Sequence, residues 1–208
     1  MKKVNFMVVA LTCMANNMSA QSSSDQIHIG LKAGINYSNV YDAQGQQYTA
    51  DGKIGLTGGA FLGIPIGTFL GIQPELLFSQ KGFKATGSVL GSDVSLTRTT
   101  SYIDLPIFFA LKPNEMVTIL IGPQYSYLLS QKVVFANPIT NVVLNQDFTT
   151  DNIRKNTLCL VGGFDAKLDR LVLGARIGLD LFNNNGGGTS TTPLYKNVWA
   201  QATVGIIL

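Results

Sequence analysis

The chain has little of what a catalytic or metal-binding protein needs. Its 208 residues include one histidine and two cysteines. A serine-type hydrolase would have to build its base from His28, and a zinc site would have to find ligands elsewhere. The acids are scattered, with no spacing that would gather a calcium site. The sequence therefore predicts no catalytic set, no metal centre and no cofactor. Charge is scarce as well: Asp, Glu, Lys and Arg make up 13% of the chain, about half the share usual in globular proteins. The net charge of +3 comes from dispersed Lys and Arg, and without a basic stripe interleaved with aromatics there is no support for nucleic-acid binding. Long hydrophobic runs are missing too. Nothing beyond the N-terminus approaches the roughly 18 apolar residues of a membrane helix. Yet 46% of the chain is apolar and 22 residues are glycine, so the composition is that of a folded protein with an unusually uncharged surface.

The N-terminus reads MKKVNFMVVALTCMANNMSAQ. Lys2 and Lys3 form a basic start, Val4 to Met14 is mostly apolar, and Ala20 ends a short polar stretch. This three-part pattern predicts a signal peptide over residues 1–20, with one domain over 21–208. Cys13 follows Leu11 at a spacing one position off the lipidation pattern, so a lipoprotein anchor is not expected. Cleavage after Ala20 would leave Cys159 as the one cysteine, excluding an intrachain disulfide.

From Ile27 onward the chain alternates apolar and polar residues, the period of a strand. Equivalent stretches occupy 54–64, 70–83, 101–111, 117–130, 157–168, 171–182 and 198–208. Most reach the roughly nine to eleven residues that a tilted strand needs to cross a bilayer. The connections alternate long and short: long at 41–53, 84–100, 131–156 and 183–197, short at 65–69, 112–116 and 169–170. Outer-membrane barrels share this asymmetry, with short periplasmic turns and longer extracellular loops. The glycine run at 186–188 lacks the Lys-Ser/Thr of a phosphate loop and reads as loop.

Which row of each strand meets water decides the fold class. In GIQPELLFSQKGF, Ile72, Pro74, Leu76 and Phe78 alternate with Gln73, Glu75, Ser79 and Lys81. Elsewhere the polar row is rich in small residues such as Gly30, Gly34, Thr57, Gly122, Ser126, Gly174 and Gly178, which suit the narrow interior of an eight-stranded barrel. The opposite row, for example Ile103, Leu105, Ile107, Phe109 and Leu111, carries no charge. A charge on the lipid face costs about 2–4 kcal/mol at the bilayer midplane, so clean rows are expected there. The reading is an all-β, eight-stranded antiparallel up-and-down transmembrane barrel. Tyr125 and Tyr127 then fall in the outer aromatic girdle, and His28 on the periplasmic rim.

The segments GLKAGINYS (30–38), GIQPELLFSQKGFK (71–84), YIDLPIFFALK (102–112) and ILIGPQYSYLL (119–129) together resemble the porin-family, PorT-like outer-membrane β-barrel domain of Bacteroidota-type bacteria. The resemblance implies the barrel fold and an outer-membrane location, without implying one shared activity.

Eight charged residues point inward by alternation: Lys32, Glu75, Lys81, Asp104, Asp165, Lys167, Arg176 and Asp180, four of each sign. Buried charges persist when paired, so the first expectation is an ion-paired plug, ahead of a narrow polar path. Counting up each strand puts Lys32, Glu75, Asp104 and Arg176 at similar depths, and Arg176 is expected to reach Glu75, Asp104 or both. The functional expectation is a non-enzymatic scaffold in outer-membrane lipid that presents loops 41–53, 84–100, 131–156 and 183–197 to extracellular or secretion-apparatus partners. Passive transport of small solutes and a soluble periplasmic lipocalin-like carrier are the alternatives.

Overall fold

A computed structural model describes residues 26–44, 49–89, 92–136, 141–146, 154–184 and 194–208. The expected signal peptide at 1–20, its cysteine Cys13 and the glycine run at 186–188 lie outside the described residues. The described residues form nine strands: β1 (His28–Gln44), β2 (Thr49–Pro65), β3 (Leu70–Val89), β4 (Ser92–Leu111), β5 (Val117–Ala136), β6 (Asn141–Gln146), β7 (Asn156–Leu168), β8 (Leu171–Asp180) and β9 (Leu194–Ile207). Neighbours pair in the order β4-β3-β2-β1-β9-β8-β7-β5-β6, and β4 pairs with β5 to close the sheet. Eight strands make the barrel. The ninth, β6, pairs with the upper part of β5 from Gln131 to Ala136, above the span from Val117 to Tyr127 where β5 pairs with β7. Closure removes the unpaired edges that a sheet of this length would otherwise expose.

The expected connections at 41–53 and 84–100 are corrected. Both are largely strand: β1 runs to Gln44, β2 starts at Thr49, β3 runs to Val89 and β4 starts at Ser92. Likewise β5 continues to Ala136 and β6 falls inside 131–156. Once the wall leaves the membrane its outer face meets water, so the clean apolar alternation that marks a lipid-facing strand is no longer required. Segments such as Thr97 to Ser101 pair in register all the same. Strands β3, β4 and β5 have 20 residues each, about twice what a bilayer crossing takes. At the other end the connections are short, as expected. Asp169 opens the β7–β8 turn with φ 56°, a left-handed conformation that Asp tolerates better than most residues.

The strands are staggered. Following paired residues from Tyr125 to Leu158, onward through Lys196 and Tyr41, then Ala50, Ala85, Leu96 and Phe135, returns to β5 well above its start. The climb is about ten residues per circuit, the shear that closing a tilted sheet imposes.

Alternation sorts the side chains as expected. On β4, Leu105, Ile107, Phe109 and Leu111 are exposed while Tyr102, Asp104, Phe108 and Ala110 are buried. On β8, Leu171, Leu173 and Ile177 are exposed while Val172 and Arg176 are buried. Exposed large apolar residues recur on all eight barrel strands, including Leu31, Leu56, Leu76, Ile121, Phe164 and Val204. This continuous apolar coat far exceeds the few hundred Å² that soluble monomers tolerate. Lipid is the solvent it matches, with Tyr125 and Tyr127 outward at its upper margin, as expected.

Candidate functional site

The lumen is filled by stacked polar layers. Nearest the short turns lies a quartet built from β1, β3, β7 and β8. Lys32 Nζ is 2.6 Å from Glu75 Oε1, and Arg176 Nη2 is 2.7 Å from Asp165 Oδ1 and 3.7 Å from Glu75 Oε1. Gln73 Nε2 donates to both carboxylates, at 2.9 Å to Glu75 and 3.1 Å to Asp165. The Arg176–Asp165 approach is short but off the linear hydrogen-bond geometry. Arg176 Nη1 instead donates to the carbonyls of Phe164 and Ala175, at 2.7 and 3.1 Å. All four charged side chains are less than a tenth exposed, so the attraction operates with little screening.

Glycines make the room. A Cβ on Gly174 would lie 2.7 Å from Asp165 Oδ1, and one on Gly163 would lie 2.9 Å from Arg176 Cδ. The small residues of the inward row and the large charged ones are therefore one packing arrangement, with the barrel radius filled by side chains from the few strands that carry them.

Above the quartet, Gln201 Nε2 donates to Asn36 Oδ1 (3.0 Å) and Thr57 Oγ1 (3.2 Å), while Asn36 Nδ2 donates to Ser79 Oγ (2.8 Å). Higher again, fully buried Lys81 has Asp104 Oδ2 at 3.2 Å and the Trp199 ring centroid at 3.7 Å. Asp180 accepts from Asn197 through Nδ2 (2.6 Å) and the backbone N–H (3.0 Å), and from the Cys159 thiol (3.2 Å). At the long-loop end Phe83 meets Tyr195 edge-on, and Arg98 Nη1 donates to the Tyr195 hydroxyl at 2.5 Å.

Seven of the eight expected interior charges are buried in the lumen, in two layers; of the four expected at similar depths, Lys32, Glu75 and Arg176 share the lower layer and Asp104 lies in the upper one. The eighth, Lys167, is half-buried at the short-turn mouth, where it lines a funnel of about 490 Å³ with His28, Gln73, Lys112 and Asp165. His28 stands on that rim as expected, its Nδ1 3.3 Å from the Gln26 carbonyl. Of the two partners expected for Arg176, the structure brings it one. Glu75 is within reach, but Asp104 belongs to Lys81, because the register sets Asp104 opposite Leu77, higher in the barrel than Glu75. Asp165 takes its place. Trp199, Tyr195, Asn197 and Gln201 were missed as lumen residues, although alternation along β9 puts all four on the inward row. Among the described residues no cluster of His, Cys, Asp and Glu could hold a metal ion.

The profile of the outer membrane protein beta-barrel domain family matches residues 19–186. No curated protein sequence matches the chain. Among solved structures, the chain is similar to Ail, the attachment invasion locus protein of Yersinia pestis, at 14% identity and TM-score 0.53, covering 87% of this chain and 98% of that one. It is also similar to Neisserial surface protein A (10% identity, TM-score 0.47, 86% and 96% covered) and to OprG of Pseudomonas aeruginosa (12%, 0.37, 88% and 94%). At such identities the likeness to Ail speaks for the shared fold. With a closed barrel, an apolar coat and a profile match over most of its length, the chain belongs to the outer membrane protein β-barrel domain family and is a protein of the cell outer membrane.

Proposed function

We propose that this protein is a non-enzymatic membrane scaffold, whose barrel anchors a folded platform that presents the long-loop end to partners outside the cell. The observation that carries the reading is the filled lumen. Ion pairs, an amide and hydroxyl layer and the Trp199 layer succeed one another along the axis, and the funnel at the short-turn mouth is floored by Gln73 and Asp165. Strand surplus supports the platform, since β3, β4 and β5 continue beyond the bilayer and enclose Phe83, Ala85 and Tyr195. Surface glycans, host molecules and a secretion apparatus are the partner classes such a platform suits, the last on the resemblance to PorT-like barrels alone. The soluble carrier is set aside, because an apolar coat on every strand would aggregate in water.

Liposome swelling tests the choice between scaffold and channel. Vesicles carrying the refolded barrel should swell in small sugars no faster than empty ones. Swelling that scales with protein content would replace the scaffold by a transport function. Orientation is tested on intact cells: added protease should cut within 131–156 or 183–197, whereas cuts confined to 112–116 would put the short turns outside.

A further inference from the structure

The funnel at the short-turn mouth is ringed by basic groups that point inward. His28 and Lys167 continue the inward rows of Lys32 on β1 and Asp165 on β7, and Lys112 follows β4 directly, where alternation from buried Phe108 and Ala110 aims it at the lumen. All three line the funnel. They also stand at one height. A line of paired residues climbs about ten residues in a circuit of eight strands, a little over one per strand. From Lys167 that line runs through Val172 and Gly205 to Lys32, and about four residues of climb over three strands put His28 level with Lys167. From Lys112 it passes beside Thr118 to Asp165, and about two residues of climb over two strands again give Lys167. Both lysines accordingly act on His28 electrostatically. Since β1, β4 and β7 are spread around the sheet order, the groups approach the axis from three sides. Gly63 gives the imidazole its place, because a Cβ there would collide with Cε1 and Nε2 of the ring. With Nδ1 at 3.3 Å from the Gln26 carbonyl, protonation adds a donor at Nε2. The acidic side chains of the funnel lie elsewhere: Asp165 is one layer higher, held by Arg176 and Gln73, while Glu115 and Asp169 are exposed on the turns with Arg170.

We propose that this ring binds a phosphate group carried by a small soluble molecule of the periplasm. Rings of basic side chains select anions at the mouths of pores, and a phosphate offers three oxygens to donors that arrive from three sides. A carboxylate offers two, in one plane. An ammonium group has three donors, so each lysine can hold a neighbour and the anion together. The space provides for a body beyond the phosphate, since about 490 Å³ falls within the roughly 300–1,000 Å³ of small-molecule pockets. Headgroups of the surrounding lipid lie outside the barrel wall, whereas the ring faces the axis, so the ligand enters from water. Gln73 and Asp165 floor the funnel, and the molecule is held there rather than passed on. The periplasmic side follows from the orientation of the short turns, and nothing depends on what the long loops bind.

The chain's one histidine makes the test direct. The full barrel is refolded without a histidine tag in a sugar-based detergent, and the His28 ring protons are followed by NMR as pH is varied. Inorganic phosphate, glycerol phosphate, acetate and chloride are compared as sodium salts at one ionic strength. A bound phosphate favours the imidazolium, so the His28 midpoint should rise by about half a pH unit or more, saturably with phosphate concentration. Glycerol phosphate should bind at least as tightly as inorganic phosphate, and acetate about tenfold more weakly. Lys167→Gln should weaken phosphate binding by about tenfold, and Lys167→Arg should keep it. The gel-mobility difference between unheated and boiled protein reports folding. Should Lys167→Gln fail to fold, Lys112→Gln, which lies beyond the end of β4, should weaken phosphate binding in its place. A midpoint that moves equally in chloride and in phosphate would reduce the effect to salt screening and overturn the proposal. Unchanged phosphate binding in the folded glutamine variants would overturn it as well. Acetate binding as tightly as phosphate would overturn it in favour of a carboxylate ligand. Because the titration is made in detergent, neither an inverted barrel in the protease experiment nor a conducting lumen in the swelling experiment would alter its result.

Discussion

Arg176→Ala is expected to lower the unfolding free energy of the refolded barrel by about 3–5 kcal/mol, the range for breaking a buried pair by removing one member. The replacement strands Asp165, whose Oδ1 lies 2.7 Å from the guanidinium, and leaves the Phe164 carbonyl without its 2.7 Å donor. Glu75 suffers less because Lys32 holds it at 2.6 Å. Double-mutant cycles should therefore rank the couplings: Arg176 with Asp165 largest, Arg176 with Glu75 smaller, and Arg176 with Asp104 near zero, since Asp104 is held by Lys81. Asp165→Asn alone should cost less than Arg176→Ala, because Arg176 keeps the Phe164 and Ala175 carbonyls at 2.7 and 3.1 Å and Glu75 at 3.7 Å. Arg176→Met combined with Asp165→Asn should recover much of the loss, as removing both charges removes the desolvation that each imposes. Denaturant midpoints in refolding experiments read all of these. Zero coupling to Asp165, with both single variants as stable as wild type, would mean that the quartet is hydrated, and transport would then displace the scaffold reading.

How far the sequence carried these conclusions differs from residue to residue. The wet and dry rows of 72–81 were legible because alternation depends only on neighbours: Glu75 and Lys81 are buried in the lumen while Leu76 and Phe78 are exposed. The level of Asp104 was not legible, because depth on one strand relative to another is set by registers summed around the barrel, and the stagger is invisible in any single strand. Asp165 could be placed inside but not beside Arg176, since the side-chain-free gap at Gly163 and Gly174 that lets them meet depends on the β7–β8 register. The strands beyond the membrane were hidden for another reason. Segment 84–100 is polar, and polarity separates lipid from water without separating strand from loop. The single tryptophan posed the opposite difficulty, since an aromatic residue in a barrel suits an outer girdle as well as a packed lumen.

That tryptophan carries the second large effect. Trp199→Ala is expected to cost about 3–5 kcal/mol by the range for deleting a large buried aromatic, and it should open the lumen at the level of Lys81. The indole is 2% exposed and packs with Phe108, Leu120, Cys159 and Val161. It lies flat against Gly178, where an added Cβ would come within 2.3 Å of the ring. On its other face Lys81 Nζ sits 3.7 Å from the ring centroid, so the ring supplies both bulk and a negative face to a lysine that has no access to solvent. Alanine would leave Lys81 with Asp104 at 3.2 Å and Tyr102 at 5.0 Å, beside a void that borders polar groups and is therefore able to admit water. Two further variants separate size from charge. Trp199→Phe keeps a ring face for Lys81 and should lose less than alanine, while Trp199→Leu keeps apolar volume without the face and should fall between them. Gly178→Leu attacks the same contact from the opposite strand and should displace the ring even with Trp199 intact. Refolding midpoints and ion conductance across planar bilayers measure the two consequences together. A stable Trp199→Ala barrel that conducts no more than wild type would show that the layers above and below close the lumen without it, and the closure would then rest on the Arg176 quartet.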